Sequence, residues 1–208
     1  MQLTDTEQMQ VIRINLKIPL VHESDPECAI FGASKWRYRW PSPASEEMLL
    51  DWEGKHKVIL PREYRIFLRY IANGGPGLGY GLFPLGETLI EGNLCQESTI
   101  TPDMSQQDVE ILHARQQVIY DVDDDVDTLL FYDGLISVLT QGCGYDICLV
   151  ITGKYRGRLL HTDCNLTHPF SFISEPDFLT WYERWLDDML GHDLTERCNS
   201  QSVRRLRC

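Results

Sequence analysis

Between Gly142 and His161 the chain reads GCGYDICLVITGKYRGRLLH, a pattern that a β-sheet accommodates and a helix does not. Tyr145, Ile147, Leu149 and Ile151 recur every second residue, the spacing of side chains on one face of a strand. Gly153 and Gly157 bracket a turn, after which Arg158, Leu159 and Leu160 begin another strand. Just upstream, LLFY from Leu129, the turn pair Asp133-Gly134 and then LISVL predict a hairpin or closely connected strand pair. At least three consecutive antiparallel strands are expected.

Helical periodicity flanks this sheet. After Ser174, EPDFLTWYERWLDDML places Phe178, Trp181, Tyr182, Trp185 and Met189 at i, i+3, i+4, i+7 and i+11. This predicts a helix capped by Ser174, closed by Gly191 and docked on the sheet by its aromatic stripe. A second helix is expected from Leu60 to Ala72, with Pro61 in its first turn and Tyr64, Phe67, Leu68 and Ile71 inward; Arg62, Arg65 and Arg69 are left to solvent. Ser42 or Ser45 caps a shorter helix through Met48, Leu49 and Trp52 that stops at Gly54. TPDMSQQDVEILHARQQ predicts a helical excursion capped at Thr101, with Pro102 in its first turn and Val109 and Leu112 inward. VIRINLKI, Val11 to Ile18, alternates in the manner of a half-buried strand. KWRYRW does the same, with Trp36, Tyr38 and Trp40 facing inward and Lys35, Arg37 and Arg39 outward. YGLFPL predicts a short strand whose end or edge position is marked by Pro84.

Composition narrows the function. A chain of 208 residues with 43% hydrophobic content suits one domain with appendages. It has no signal-peptide-like or bilayer-spanning apolar run, so neither export nor membrane insertion is expected. Seven cysteines without a paired framework point to reduced thiols and a cytoplasmic location. The net charge is −12, but TERCNSQSVRRLRC, Thr195 to Cys208, contributes +3 and leaves −15 on residues 1–194. Such a field disfavours binding to DNA or RNA and favours encounter with a basic protein.

The glycine-rich run NGGPGLGYGLFPL follows a helix, whereas a phosphate cradle needs its glycines ahead of one; neither Walker nor dinucleotide-binding spacing is present. A helix-to-strand connection is the better account, with Asn73, Gly74 and Gly75 as a left-handed cap. DVDDDVD begins like a calcium loop, but Val126 stands where the sharp turn needs glycine and Tyr132 where calcium needs a bidentate glutamate. The stretch is either a solvated loop or an acidic recognition loop, and Asp121, Asp123, Asp124, Asp125 and Asp127 are the candidate partner contacts. Cys143, Cys148, His161 and Cys164 lack the knuckle spacing of a zinc site, so buried thiols are expected and no metal or other cofactor is assigned. His113, His161 and His168 have no nucleophile motif beside them, so no catalytic residue is assigned.

The order LPREYRIFL, NGGPG, YGLFPL, DG, GCGYDICLVITG, RGR and WYERWLDDML resembles the SUKH superfamily, which includes fungal Smi/Knr cell-wall regulators and bacterial immunity proteins. The bacterial branch is the closer likeness. The resemblance covers residues 35–190, leaving residues 1–34 as an N-terminal extension that includes a strand and residues 191–208 as an arginine-bearing tail. It implies a single α+β domain with a curved, mostly antiparallel sheet and helices packed against it. Leu60, Pro61, Tyr64, Phe67, Leu68, Gly75, Gly81, Gly142, Gly144, Gly157, Trp181 and Trp185 are implied to be fold determinants. Gly-Leu-Gly before Tyr80, where the family often has Gly-Pro, the acidic insertion and the tail depart from the pattern. The implied function is a non-enzymatic cytoplasmic immunity protein that neutralises a cognate bacterial polymorphic toxin by occlusion, with nucleases among the candidate targets. The alternative is a regulatory protein-interaction module similar to the fungal regulators.

Overall fold

A computed structural model describes residues 1–88, 92–112, 114, 132–165 and 167–191. The fold is α+β. Strands β1 (Leu135–Gly142), β2 (Tyr145–Val150), β3 (Leu159–Asp163) and β4 (Ser171–Phe172) form one antiparallel sheet in sequence order. Ile136, Ile147, Leu149 and Leu159 join a large core on one face; Leu135, Cys148, Val150 and Leu160 join a smaller core on the other. The two-residue period therefore divides apolar residues between two cores, and both faces of the central strands are covered.

The large core is closed by helices α1 (Asp5–Ser24), α3 (Glu46–His56), α4 (Arg62–Tyr70) and α6 (Phe178–Gly191), while α2 (Ala33–Trp36) is a single turn. Aromatic rings join α4 to α6: Phe67 lies 5.0 Å from Phe178 and 4.7 Å from Tyr182, and Tyr64 lies 4.7 Å from Phe178, in tilted or edge-on geometry. The buried Tyr182 hydroxyl accepts from Trp40 Nε1 at 2.7 Å and donates to the Pro76 carbonyl at 2.9 Å. This phenol ties α6 to the glycine-rich segment. Helix α5, residues 106–112, closes the smaller core through fully buried Val109 and half-buried Leu112.

Several local expectations are corrected. Residues 11–18 are helical, not a strand, because the signals around them outweigh the short alternation: Thr4 and Glu7 form a capping box, with Glu7 N–H donating to Thr4 Oγ1 at 3.3 Å and Thr4 N–H to Glu7 Oε2 at 2.7 Å. Val11, Ile14 and Val21 then fall at i, i+3 and i+10 on the buried face. The N-terminal extension thus contributes a helix to the domain core. KWRYRW is also not a strand, since Arg37 and Tyr38 have φ of 49° and 52°, but its aromatics do face inward. Trp36 Nε1 donates to the Tyr80 carbonyl at 2.7 Å, and Tyr38 donates to Asp25 at 2.5 Å.

Helix starts and stops shift for identifiable reasons. Asp177, not Ser174, caps α6 by accepting from Thr180 N–H at 2.8 Å, while Ser174 bonds Glu175 instead. Ser105, not Thr101, caps α5, exchanging bonds with Asp108 at 2.8 and 3.3 Å. Ser45 caps α3, which runs through Gly54 and ends where Lys57 turns left-handed at φ 56°. Pro61 is the cap of α4 rather than its first residue. YGLFPL makes bridges only, through Leu82 to Gly75 and Leu139, with Phe83 N–H donating to Val138 at 2.9 Å along the edge of β1. Asp133-Gly134 is a turn, but Tyr132 before it is in a short helical turn and β1 pairs with β2; Leu129 to Phe131 lie outside the described residues.

Helix α1 is fastened to α6 by charge. Glu183 accepts from Arg13 Nε at 2.8 Å and from Lys17 Nζ at 3.0 Å, and Lys17 also reaches Asp187 at 2.6 Å. The Arg13 hydrogen bond is the main cause that holds the Glu183 carboxyl at about 2 instead of 4.5. The folded chain therefore binds fewer protons here than the unfolded chain, so the stabilisation is complete above pH ~4.5 and lost as pH falls towards ~2. A shift of that size corresponds to about 3 kcal/mol, which solvent screening of half-exposed Arg13 reduces to about 1–2 kcal/mol. Urea titrations across acid pH should show Glu183→Gln less stable by that amount at pH 7, with the deficit closing below pH ~4. A deficit constant with pH would mean that the contact acts through packing instead of charge.

Candidate functional site

Where α6 passes the β3–β4 edge, the two leave a groove of about 380 Å³. Trp181 and Trp185 form its α6 wall, His161 and Phe172 its sheet wall, and Leu78 of the glycine-rich segment one end. The wall is built by helical spacing: Trp181, Trp185 and Asp188 lie on one flank of α6, beside the stripe of Phe178, Tyr182 and Met189 that enters the core. Trp181 is buried at 7% exposure, while Trp185 is half-buried with its ring 5.3 Å from Tyr182. These are rigid aromatic surfaces whose ordering is already supplied by the core.

The charges at the groove are held in place. Arg184 donates to Glu175 Oε1 at 2.6 Å, and the Ser174 hydroxyl donates to Oε2 at 2.9 Å. Burial alone would raise the Glu175 carboxyl, but its own backbone N–H, Ser174 and Arg184 hold it below the ordinary range. His161 sits opposite with Nδ1 3.3 Å from Gln141 Nε2. Its ring reaches solvent, yet the protein packed around it pushes its pKa down, which favours the neutral ring at pH 7. The groove thus combines an apolar aromatic wall, a fixed ion pair and a neutral imidazole. A second depression, of about 590 Å³, lies between Lys57, Cys95 and Arg156, but Arg156 is already spent on the carbonyls of Ile59 and Leu60, both at 2.8 Å.

Sequence positions with chemical potential fall apart in space. Cys148 is buried in the smaller core, its thiol pushed up by burial and 3.4 Å from Thr162, whereas His161 pairs with Ile147 and lies on the opposite face of the sheet. They do not share a metal site with Cys143 and Cys164, and among the described residues no group of three or more His, Cys, Asp or Glu is placed to hold a metal. His168 Nδ1 meets Thr167 Oγ1 at 2.9 Å and Asp163 at 3.2 Å. A Ser-His-Asp relay uses the two ring nitrogens for different partners. Here one nitrogen faces both, and Asp163 also accepts from the Asn165 and Thr167 N–H groups, which makes the cluster a turn. The glycine run holds no helix N-terminus, but it is not the expected helix cap either: α4 ends at Tyr70 with Ile71 right-handed, before Asn73, Gly74 and Gly75.

Asp121, Asp123, Asp124, Asp125 and Asp127 lie outside the described residues, as does His113. The groove itself was hidden in the sequence. Trp181 and Trp185 look like uninterrupted core stripe, and only the polar Arg184 and Asp188 beside them hint that this flank of α6 meets solvent. No helix among the described residues is long and apolar enough to cross a membrane. No protein-family model and no curated protein sequence matches the chain.

Proposed function

We propose that this protein is a cytoplasmic, non-enzymatic binding module of the SUKH type, and that its partner is a bacterial toxin domain which it neutralises by occlusion. The groove beside α6 carries the proposal. Rigid aromatics held by a core lose little entropy on association, and tryptophan and arginine are the side chains that most often dominate binding energy. At about 380 Å³ the groove can receive one large anchor side chain from a partner. The charge of −15 on residues 1–194 supports a basic partner, because such a field speeds encounter with positively charged surfaces. A nuclease toxin, which must present a basic face to phosphates, fits that description.

The test is calorimetric titration of the protein with the toxin domain encoded beside its gene. Association at sub-micromolar Kd is expected, weakened by salt, and Trp185→Ala should weaken it by about tenfold without unfolding the half-buried site. Replacing Asp121, Asp123, Asp124, Asp125 and Asp127 by Asn should slow association at low salt. No heat at about 10 μM protein would overturn the immunity role. Full binding by the Trp185 variant would remove the groove from the interface.

A further inference from the structure

Helix α1 carries two apolar faces, and among the described residues one of them is packed into the core. Val11, Ile14 and Val21 enter the core, whereas Met9, Ile12, Leu16 and Leu20, at i, i+3, i+7 and i+11, are exposed at 55%, 43%, 65% and 46%. They form a continuous stripe on the side of the helix turned away from the core, with exposed Pro19 at its margin. Scattered surface apolar residues are ordinary, but four large ones in line along three turns of a helix are a typical docking ridge. Proline at position 19 supplies no N–H to the carbonyl of Asn15, so a backbone acceptor is left without its helical donor beside Leu16.

Charge identifies the occupant. The basic residues of this helix, Arg13 and Lys17, are engaged by Glu183 and Asp187 of α6. At the two ends of the stripe stand exposed carboxylates, Asp5 and Glu23. A second copy laid antiparallel along the stripe would bring Asp5 of one chain to Glu23 of the other, and would add one strongly acidic body to another. An anionic lipid surface is opposed by the same charges. We propose that the outer face of α1 is a second docking surface, for a partner protein presenting an amphipathic helix with an apolar ridge flanked by lysine or arginine. The surface is separate from the groove, since Glu183 and Asp187 face α1 while Trp181 and Trp185 face the groove, so either can fail without the other.

The probe is a labelled helical peptide of about 18 residues with leucines at i, i+3, i+7 and i+11 and lysines at both ends, compared with the same peptide ending in glutamates. Fluorescence anisotropy with the full chain should show the lysine peptide binding at least about tenfold more tightly, and Ile12→Ser with Leu16→Ser should abolish that binding while leaving thermal unfolding unchanged. Trp185→Ala should leave it intact. Equal binding of both peptides, or binding indifferent to the double substitution, would overturn the proposal. So would three reassignments: dimerisation in sedimentation equilibrium that the double substitution abolishes, binding to anionic vesicles lost in that variant, or a large gain in peptide affinity when Arg204, Arg205 and Arg207 are replaced by Ser, which would make the chain's own C-terminal segment the occupant.

Discussion

Arg65→Ala should cost about 3–5 kcal/mol of folding stability at neutral pH. Arg65 lies on α4 at 7% exposure and is shared by two carboxylates: Nε bonds Glu53 at 3.1 Å, and Nη2 bonds Glu46 at 2.8 Å. Glu53 is itself buried at 9% exposure, and its Oε1 also accepts from Leu60 N–H at 3.0 Å. Removing the guanidinium leaves the Glu53 carboxylate in the core with a single backbone donor. The cost then lies in the unpaired charge more than in the lost attraction. Set against a total stability of about 5–15 kcal/mol, this is a large share of what holds the chain folded. Urea denaturation can separate this cause from simple loss of volume: Arg65→Met combined with Glu53→Met should recover part of the loss, because the apolar pair buries no charge, the remainder being the Leu60 N–H left without its acceptor. A single variant that loses less than about 1 kcal/mol, or a double variant as unstable as the single, would show that the buried pair does not hold α3 to α4.

Arg65 also shows where sequence reasoning stops. The 3.6-residue period correctly places Tyr64, Phe67 and Leu68 in the core, but it assigns Arg65 to solvent because it weighs residue type without knowing the partner. Glu53 comes from a different helix, and nothing in the α4 sequence announces it. The sheet was legible because glycine turns and a two-residue alternation agree over Gly142 to Leu160, where β2 and the start of β3 lie, with β1 just upstream. The strand expected at Val11 to Ile18 failed for the opposite reason. With apolar residues on both its buried and its exposed faces, α1 mimics a two-residue period over this short stretch, and the Thr4–Glu7 capping box outside the window decides the matter. The surplus apolar face that misleads the sequence pattern is the one left open for docking. The groove was illegible because it is made by three separated segments, the glycine-rich run, the β3–β4 edge and α6, whose meeting depends on contacts such as Tyr182 to Trp40 and Pro76.

Gly81→Ala should be a damaging single-methyl change in that meeting place, at about 3 kcal/mol or more, and Gly157→Ala should cost only about 1 kcal/mol. Both were grouped as fold determinants by resemblance, and both have left-handed backbones, with φ of 83° at Gly81 and 89° at Gly157. The difference is space. A Cβ at Gly157 finds nothing nearer than Pro61 Cβ at 3.8 Å, so alanine meets only the backbone strain. A Cβ at Gly81 would stand 2.2 Å from Trp36 Nε1 and 2.6 Å from the Gly75 carbonyl. The indole would have to leave, breaking its 2.7 Å bond to the Tyr80 carbonyl. Because Leu78 lines the groove three residues earlier, the displacement should reach the binding surface, so Gly81→Ala should weaken partner association as well as lower Tm. Gly157→Ala should change Tm alone. Equal destabilisation by the two alanines would mean that backbone strain, not the close approach of Trp36, sets the requirement for glycine at position 81.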